Sequence, residues 1–212
     1  MTAKHGHPTG SGPAHALERL IFFSDAVFAI AITLLVIELH VPEIHRPATD
    51  LDYLRALLPM IPGFVGFFTS FYVIGAFWAG HHRAFDCARH WDARLLMPNL
   101  MMLSAIAAMP FFTAFSSAYW GARVPIALYC GWMLLTAILN MRVQQIATSP
   151  PVVGEDVSET MRMTVRRRGQ SVVLGSVTAL AVSFFAPFAA QPSLASIGFW
   201  RWALQRYDDR KR

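Results

Sequence analysis

The sequence predicts an all-α membrane protein with six transmembrane helices per subunit. Of its 212 residues, 55% are hydrophobic and only 15% are charged, whereas a soluble domain has about 25% charged residues. The apolar residues are concentrated in segments close to the roughly 20 residues that a helix needs to cross a bilayer. Because a compact soluble core does not produce such blocks in series, a soluble domain is excluded, and about six crossings fit this length.

The hydrophobic segments divide the chain into three parts. A polar stretch over 1–16 is expected to be a flexible N-terminal tail and not a cleaved signal, because no apolar run precedes Leu20. The membrane domain is predicted over 17–206, and 207–212 form a charged C-terminal tail. Within the membrane domain the predicted helices are 19–40, 53–80, 93–115, 121–147, 169–187 and a shorter one over 190–205.

Lysine and arginine are distributed unevenly between the two predicted sides. The N-terminus, the second and fourth connections and the C-terminus together carry fifteen, and the opposite side carries three: Arg46, Arg55 and Arg123. The positive-inside rule therefore places both termini in the cytoplasm. The net charge of +5 is explained by this topology signal, and since no nucleic-acid-binding motif accompanies it, nucleic acid is not an expected partner.

The first predicted helix carries a carboxylate, Asp25, where a charge is expensive. A charged residue at mid-membrane costs about 3 kcal/mol, so it normally faces protein or water and has a partner. At about 100° per residue, Phe22, Ala29, Ile32 and Val36 share the face of Asp25, and this face is expected to contact neighbouring helices.

Candidate partners for Asp25 are His81 and His82 at the end of the second helix, Asn99 in the third, and nearby arginines. Together they would join the first three helices. An equally open alternative is that these residues form only a hydrated cytoplasmic rim. A metal site from the histidine pair with Asp86 and His90 is less favoured, because adjacent helical residues point about 100° apart.

A second stripe of the first helix lies about 140° from Asp25. It contains Ile30, Thr33, Leu34, Ile37 and Val41. Periodicity alone favours packing or lipid contact for such branched residues over a pore.

The stretch RLIFFSD over 19–25 resembles a known family. It matches the RxxxFSD pattern that begins the first helix in the potassium-channel family of transmembrane protein 175, the lysosomal channel of animals and its prokaryotic homologues. The following AVFAIAITLLVIEL, the run FWAGHHRAFDCARHWDARLLMPNL and the Met-Pro-Phe over 109–111 are also similar to prokaryotic members. The resemblance covers the first three helices well and the remainder mainly through topology.

This resemblance implies a six-helix subunit that forms a homotetramer with a central pore lined by the first helix. It implies a hydrophobic gate at Ile30, Leu34 and Ile37, and it matches Thr33 to a hydroxyl position linked to potassium preference. Arg19, Phe23, Ser24 and Asp25 match the motif that ties the first helix to its neighbours, here with His81, His82 and Asn99 as candidate members of the network.

The predicted function is passive, potassium-permeable cation conduction in a prokaryotic cell membrane. Since no TVGYG-like segment occurs, strong discrimination by a carbonyl cage is not expected. The expected partners are three further copies, potassium ions and membrane lipids, with K⁺ as permeant ion and no cofactor or resident metal. The alternative is a proton channel or proton-coupled transporter that uses Asp25 and His81 or His82; a membrane enzyme has little support.

Overall fold

The computed structural model describes residues 13–44 and 49–209, which form α-helices joined by short turns. Within these ranges the only β-type pairing is an isolated bridge between Ala88 and Val153. The helices are α1 (Pro13–Leu34), α2 (Asp50–Ala56), α3 (Ile61–Phe85), α4 (Leu96–Ala118), α5 (Arg123–Ala147), α6 (Glu159–Phe185), α7 (Pro187–Ala190) and α8 (Ser196–Asp209). The all-α class predicted from the sequence is confirmed.

The bounds of several helices differ from the predicted ones. Helix α1 begins at Pro13, inside the predicted tail, and continues into a 3₁₀ turn over Leu35–Glu38; residues 1–12 of that tail lie outside the described residues. The predicted second helix is divided into α2 and α3 by a 3₁₀ turn with Pro59. Helix α6 begins ten residues earlier than predicted because Ser158 caps it by accepting from the Met161 amide.

Five helical segments of the described chain are long and apolar enough to cross a membrane: His15–Glu38, Asp50–Phe85, Ala93–Ala118, Arg123–Ala147 and Glu159–Phe185. The predicted sixth helix over 190–205 is instead broken. The four-residue α7 precedes most of it, a 3₁₀ turn begins at Pro192, and the 14-residue α8 follows, since proline starts a helix readily but removes an interior hydrogen bond.

The bundle is built by sequential packing of neighbours. Helix α1 contacts α3 and α4, α4 contacts α3 and α5, α5 contacts α6, and α6 contacts α8. We call the end at which α3 and α5 finish and α4 and α6 begin the basic end of the bundle. The arginines over 166–168, predicted in a loop, lie in the first half of α6 at this end.

The packed core contains a buried polar cluster that joins three helices. Ser70 of α3 lies 2.7 Å from the Thr113 hydroxyl of α4 and 3.2 Å from the Tyr129 hydroxyl of α5. Thr113 in turn donates to the carbonyl of Met109. Hydroxyl groups removed from water are costly unless they pair, so this cluster fixes the relative positions of α3, α4 and α5.

Two connections pack together at the basic end. The bridge between Ala88 and Val153 is reinforced by the Gly154 amide, which donates to the Cys87 carbonyl, and by an ion pair between Arg89 and Asp156 at 3.0 Å. This packing buries Cys87, and the burial raises the pKa of its thiol. The connection between α3 and α4 is therefore an ordered part of the fold.

Cys87 is expected to resist alkylation in the native protein. The reactive species is the thiolate, and a raised pKa reduces the thiolate fraction at every pH below it. In a Cys130→Ser background, iodoacetamide at pH 7.5 should leave native protein unmodified and label it fully after SDS denaturation, as measured by intact mass. Rapid labelling of native protein at this pH would contradict the packed arrangement of the two connections.

Candidate ion pathway and the polar network of helix α1

Helix α1 has one face that packs inside the subunit. The residues on this face recur every three or four positions and are all buried: Leu17, Leu20, Ser24, Phe28, Ala31 and Leu35. Small residues at two of these positions, Ser24 and Ala31, allow α3 and α4 to approach closely. This spacing is that of one face of an α-helix. Because this face is turned into the subunit, the remaining residues of α1 lie on its flanks or point away from the subunit.

The residues predicted to line a pore lie on the other side of α1. Ile30 is 58% exposed, Leu34 is 40% exposed and Ile37 is 64% exposed, and Thr33 between them is also exposed. We call these four residues the outer stripe. A subunit that presents such a stripe leaves branched apolar side chains without partners in its own fold, so the stripe contacts lipid or further copies of the chain.

The Thr33 hydroxyl is oriented by its own helix. It lies 2.9 Å from the Ile30 carbonyl and 3.1 Å from the Ala29 carbonyl, so its hydrogen points back to the backbone. The oxygen lone pairs are therefore directed outward from α1. Thr33 is the one polar member of the outer stripe, and it presents an acceptor to whatever lies in front of it.

The face assigned to Asp25 from the sequence is not the packing face. Phe22 is 70% exposed and Val36 is 53% exposed, so the predicted contact face is a flank of the helix. The packing face is shifted by about one residue, to Ser24 and Phe28, because α4 presents a buried amide, Asn99, that Ser24 can reach. The separation of Asp25 from the outer stripe remains.

Ser24 belongs to a buried chain of hydrogen bonds that joins three helices. The Asn99 amide nitrogen donates to the Ser24 hydroxyl oxygen at 2.9 Å, and Ser24 donates to the Leu20 carbonyl at 2.8 Å. His81 Nε2 lies 2.8 Å from Asn99 Oδ1, and because an amide oxygen only accepts, His81 is the donor. Ser24, His81 and Asn99 are all almost completely buried. This inner chain joins α1, α3 and α4.

Asp25 belongs to a separate, more exposed chain. Its Oδ1 accepts from Trp78 Nε1 at 2.9 Å. The Trp78 ring stacks on His82 at 5.6 Å, and His82 Nε2 lies 3.8 Å from Asp86. The partner that the sequence placed among His81, His82 and Asn99 is thus Trp78, which sequence reasoning missed. The available signal was its position four residues before His82, on the same face of α3.

The adjacent pairs Ser24–Asp25 and His81–His82 explain why two chains exist. Consecutive helical residues point about 100° apart, so one member of each pair enters the core and the other faces outward. The inner members, Ser24 and His81, meet through Asn99. The outer members, Asp25 and His82, meet through Trp78. The two chains therefore join α1 to its neighbours at two depths, one inside the core and one nearer the surface of the subunit.

Two predicted members of the network stand apart from both chains. Arg19 is exposed and has no hydrogen bond or ion pair with any described residue, and the Phe23 ring is 51% exposed. In the single subunit, neither side chain contributes to the joining of α1, α3 and α4. Both lie on the outward side of α1, toward the basic end.

The described residues contain no group of three or more histidine, cysteine, aspartate or glutamate side chains arranged to hold a metal ion. His81 is buried against Phe28 and Phe85, with ring centroids 5.6 Å and 4.4 Å away, and its Nε2 is engaged by Asn99. The geometry of the histidine pair is that of a structural network.

Removal of the indole donor tests the outer chain. Trp78→Phe and Asp25→Ala should each lower the free energy of unfolding by about 1 kcal/mol, and the double variant should lose no more than either single variant, because both remove the same hydrogen bond. Thermal unfolding in detergent measures these differences. Trp120→Phe is the control, since the Trp120 indole makes no hydrogen bond with the described residues; strictly additive losses at Asp25 and Trp78 would contradict the contact.

Comparison with known proteins identifies relatives of this chain. The family model described as the endosomal/lysosomal potassium channel TMEM175 matches residues 19–110. A potassium channel of Chamaesiphon minutus is 37% identical over 134 residues, which cover 62% of this chain and 66% of that protein, just under two thirds. A potassium channel of Chryseobacterium is 29% identical over 182 residues, covering 86% and 87% of the two chains.

The fold also matches a solved structure. The crystal structure of a lysosomal potassium-selective channel TMEM175 homolog from Chamaesiphon minutus superposes with a TM-score of 0.76 at 28% identity, covering 90% of this chain and 98% of that one. A human relative, 27% identical over 135 residues that cover 58% of this chain and 26% of that protein, bears the name endosomal/lysosomal proton channel TMEM175. The residues that the family model matches, 19–110, include most of α1, both chains of the polar network and α4 as far as Pro110.

Proposed function

We propose, since this chain belongs to the TMEM175 channel family, that it is a passive, potassium-permeable cation channel in which four copies surround a central pore lined by α1. Membership of this family confirms the resemblance noted in the sequence, and it means that the chain is an integral membrane channel and not an enzyme. The observation that carries the proposal is the outer stripe: an exposed, branched apolar surface on a helix whose opposite face is fully packed.

The outer stripe would form the gate of this pore. Four Ile30 side chains facing one axis would form a ring that excludes water when it is narrow, and Leu34 and Ile37 would add rings further along α1. An ion cannot pass a dewetted constriction, because the free energy lost when it leaves its hydration shell exceeds its favourable interaction with the apolar side chains. Rotation or separation of the α1 helices would widen the ring, and cations with part of their hydration shell would then pass.

Thr33 is proposed to provide the only polar ring in this part of the pore. Its outward lone pairs would accept a cation or its water between the Ile30 and Leu34 levels. A single hydroxyl ring lacks the multiple carbonyl ligands of a dehydrating filter, so we expect modest preference for potassium over sodium. K⁺ is a transient permeant ion in this proposal and not a bound cofactor.

The inner and outer chains are proposed to hold α1 in register behind the gate. Ser24 is fixed to α4 through Asn99, and Asp25 is fixed to α3 through Trp78. The carboxylate of Asp25 is thereby kept off the pore axis, and the outer stripe is presented at a constant angle. Arg19 and Phe23, which are exposed in the subunit, are available to contact a neighbouring copy.

A second candidate is proton conduction, with Asp25, His81 and His82 as the groups that carry the proton. The names of the animal relatives favour it, because several are called proton channels. The outer chain from Asp25 through Trp78 to His82 and Asp86 places titratable groups along one side of the α1–α3 contact. The indole between them donates but does not accept, so a continuous relay would need water at this point.

Flux through proteoliposomes separates the two candidates. With an outward potassium gradient, a pH-sensitive dye inside the vesicles reports proton entry. A signal that appears only when a protonophore is added indicates potassium conductance limited by charge compensation. A dye signal without the protonophore, driven by a pH gradient at equal potassium, indicates proton conductance. Planar-bilayer recording with potassium and sodium exchanged measures the selectivity, and absence of any conductance from tetrameric protein would refute the channel proposal.

The proposed assembly and topology complete this picture. Residues 187–209 would make the sixth crossing as a broken helix, with both termini in the cytoplasm of a prokaryotic cell. Fifteen of eighteen basic residues then lie on the cytoplasmic side. Native mass spectrometry in detergent should give four copies, and cysteine accessibility in intact cells at positions near Glu43 and near Glu155 should place these on opposite sides.

A further inference from the structure

A cavity of about 460 Å³ opens at the basic end of the bundle, away from the outer stripe. It lies between the end of α5, the first half of α6 and the turn before α4. Three arginines from these three elements line it: Arg94, Arg142 and Arg166. Two glutamines, Gln145 and Gln170, add amide groups, and no carboxylate lines it among the described residues.

The charge of this cavity is not balanced by the fold. Arg94 is paired with Asp92, which accepts from its Nε at 3.0 Å and lies 2.8 Å from its terminal nitrogen. Arg142 is exposed and has no hydrogen bond or ion pair with any described residue. Arg166 bonds only to neutral oxygens in the described chain. Two guanidinium charges therefore face the same cavity without a counter-charge.

Arg166 is held in position before any ligand arrives. Its Nε donates to the Thr148 hydroxyl at 3.0 Å, and one terminal nitrogen donates to the Thr148 carbonyl at 3.0 Å and to the Ser149 hydroxyl at 2.8 Å. The other terminal nitrogen has no partner among the described residues. A guanidinium fixed in this way loses little further conformational entropy on binding, which favours a directed contact over a mobile surface charge.

We infer that this cavity binds a phosphate group, and that the phosphate belongs to the headgroup of an anionic phospholipid. Guanidinium groups match the geometry and charge of phosphate oxygens, and two such groups with adjacent amides suit a single phosphodiester. The cavity lies where the candidate span of α5 ends and that of α4 begins, which corresponds to the depth of a headgroup.

Apolar residues at the same cavity support the lipid as the source. Met141, Ile146 and Pro150 line it beside the arginines. Free phosphate makes no favourable contact with an apolar surface, whereas the acyl chains of a lipid are apolar and begin a few bonds from the phosphate. The site is independent of the outer stripe, and its existence does not depend on which ion the channel conducts.

Lipid binding to the purified full chain tests the inference. Native mass spectrometry after delipidation, with phosphatidylglycerol titrated against phosphatidylcholine, should show saturable binding of the anionic lipid only. Arg142→Gln should weaken it about tenfold, since a charge-assisted hydrogen bond to phosphate is lost. Arg201→Gln removes an exposed arginine of α8 that does not line the cavity, and it should bind as the native protein does.

A second variant and a second ligand complete the test. Arg166→Lys keeps the charge but loses the planar guanidinium with its several N–H donors, and it should also weaken phosphatidylglycerol binding. The melting temperature is measured to show that the fold is intact. Inorganic phosphate at matched ionic strength is the second ligand. A rise in the melting temperature of the native protein with phosphate that is absent in Arg142→Gln would assign the same phosphate site to a soluble source. Equal lipid binding by Arg142→Gln, Arg201→Gln and native protein, with no effect of phosphate, would overturn the inference.

Discussion

Ile30→Asn is expected to raise the basal potassium conductance of the reconstituted protein by at least about tenfold. Four amides at one level of the pore would supply hydrogen-bond partners for water, so the constriction would stay wet when it is narrow. A decrease of about 1.4 kcal/mol in the barrier to ion passage is sufficient for a tenfold change. Single-channel recording in planar bilayers measures it, as a higher open fraction or a leak that no longer closes.

The control for this variant is Ile138→Asn. Ile138 is also an exposed isoleucine, at 44%, but it lies on α5 and not on α1. The same polar substitution there should leave the basal conductance unchanged. If Ile30→Asn conducts like the native protein while assembling normally, the gate is elsewhere on the chain. If both variants leak equally, the effect reflects general disruption and not a wetted ring.

The exposure of Ile30 was predictable because it depends on one helix. A stripe of branched residues at helical spacing needs only the period of the α-helix, and residues 30, 34 and 37 follow it without reference to any neighbour. The choice between pore and lipid was not predictable from the period, because both surfaces are apolar. The family resemblance supplied that choice, and it stays a prediction until the assembled channel is measured.

The partner of Asp25 required knowledge that the sequence does not contain. Ser24, His81 and Asn99 were expected in one network with Asp25. The structure brings the first three together, whereas Asp25 accepts a hydrogen bond from Trp78. The separation depends on the rotation of α1 against α3, which is set by tertiary contacts such as that between Ser24 and Asn99 and not by any local pattern. An indole on an apolar helix also resembles an interfacial anchor, so its donor role is hidden.

The predicted ends of the later helices were wrong for local reasons. Helix α6 was predicted to begin near residue 169 because most of its first ten residues are polar, yet Ser158 provides a cap and Arg162 bonds to Thr148 and Glu159. Hydropathy marks the membrane-embedded part of a helix and not its true beginning. The segment over 187–209 contains Pro187 and Pro192, and each begins a short helical turn where one continuous helix was predicted only from residue 190 onward.

Asn99→Ala is expected to cause the largest loss of stability, about 3 kcal/mol in the free energy of unfolding. The substitution leaves the His81 N–H without its acceptor and removes the donor to Ser24, in a site that water does not reach. Each unsatisfied buried group costs about 1 to 3 kcal/mol, and the missing amide leaves a small cavity as well. Unfolding in detergent, followed by circular dichroism, measures the loss.

Asn140→Ala provides the matched control. Asn140 is also a buried asparagine in a packed helix, but its amide oxygen has no hydrogen-bond partner among the described residues. Its truncation therefore produces a comparable cavity without orphaning a partner, and it should cost clearly less. The difference between the two variants isolates the inner chain. Equal losses would mean that Asn99 contributes volume only, and the joining of α1 to α3 and α4 would then rest on apolar packing and on the Asp25–Trp78 hydrogen bond.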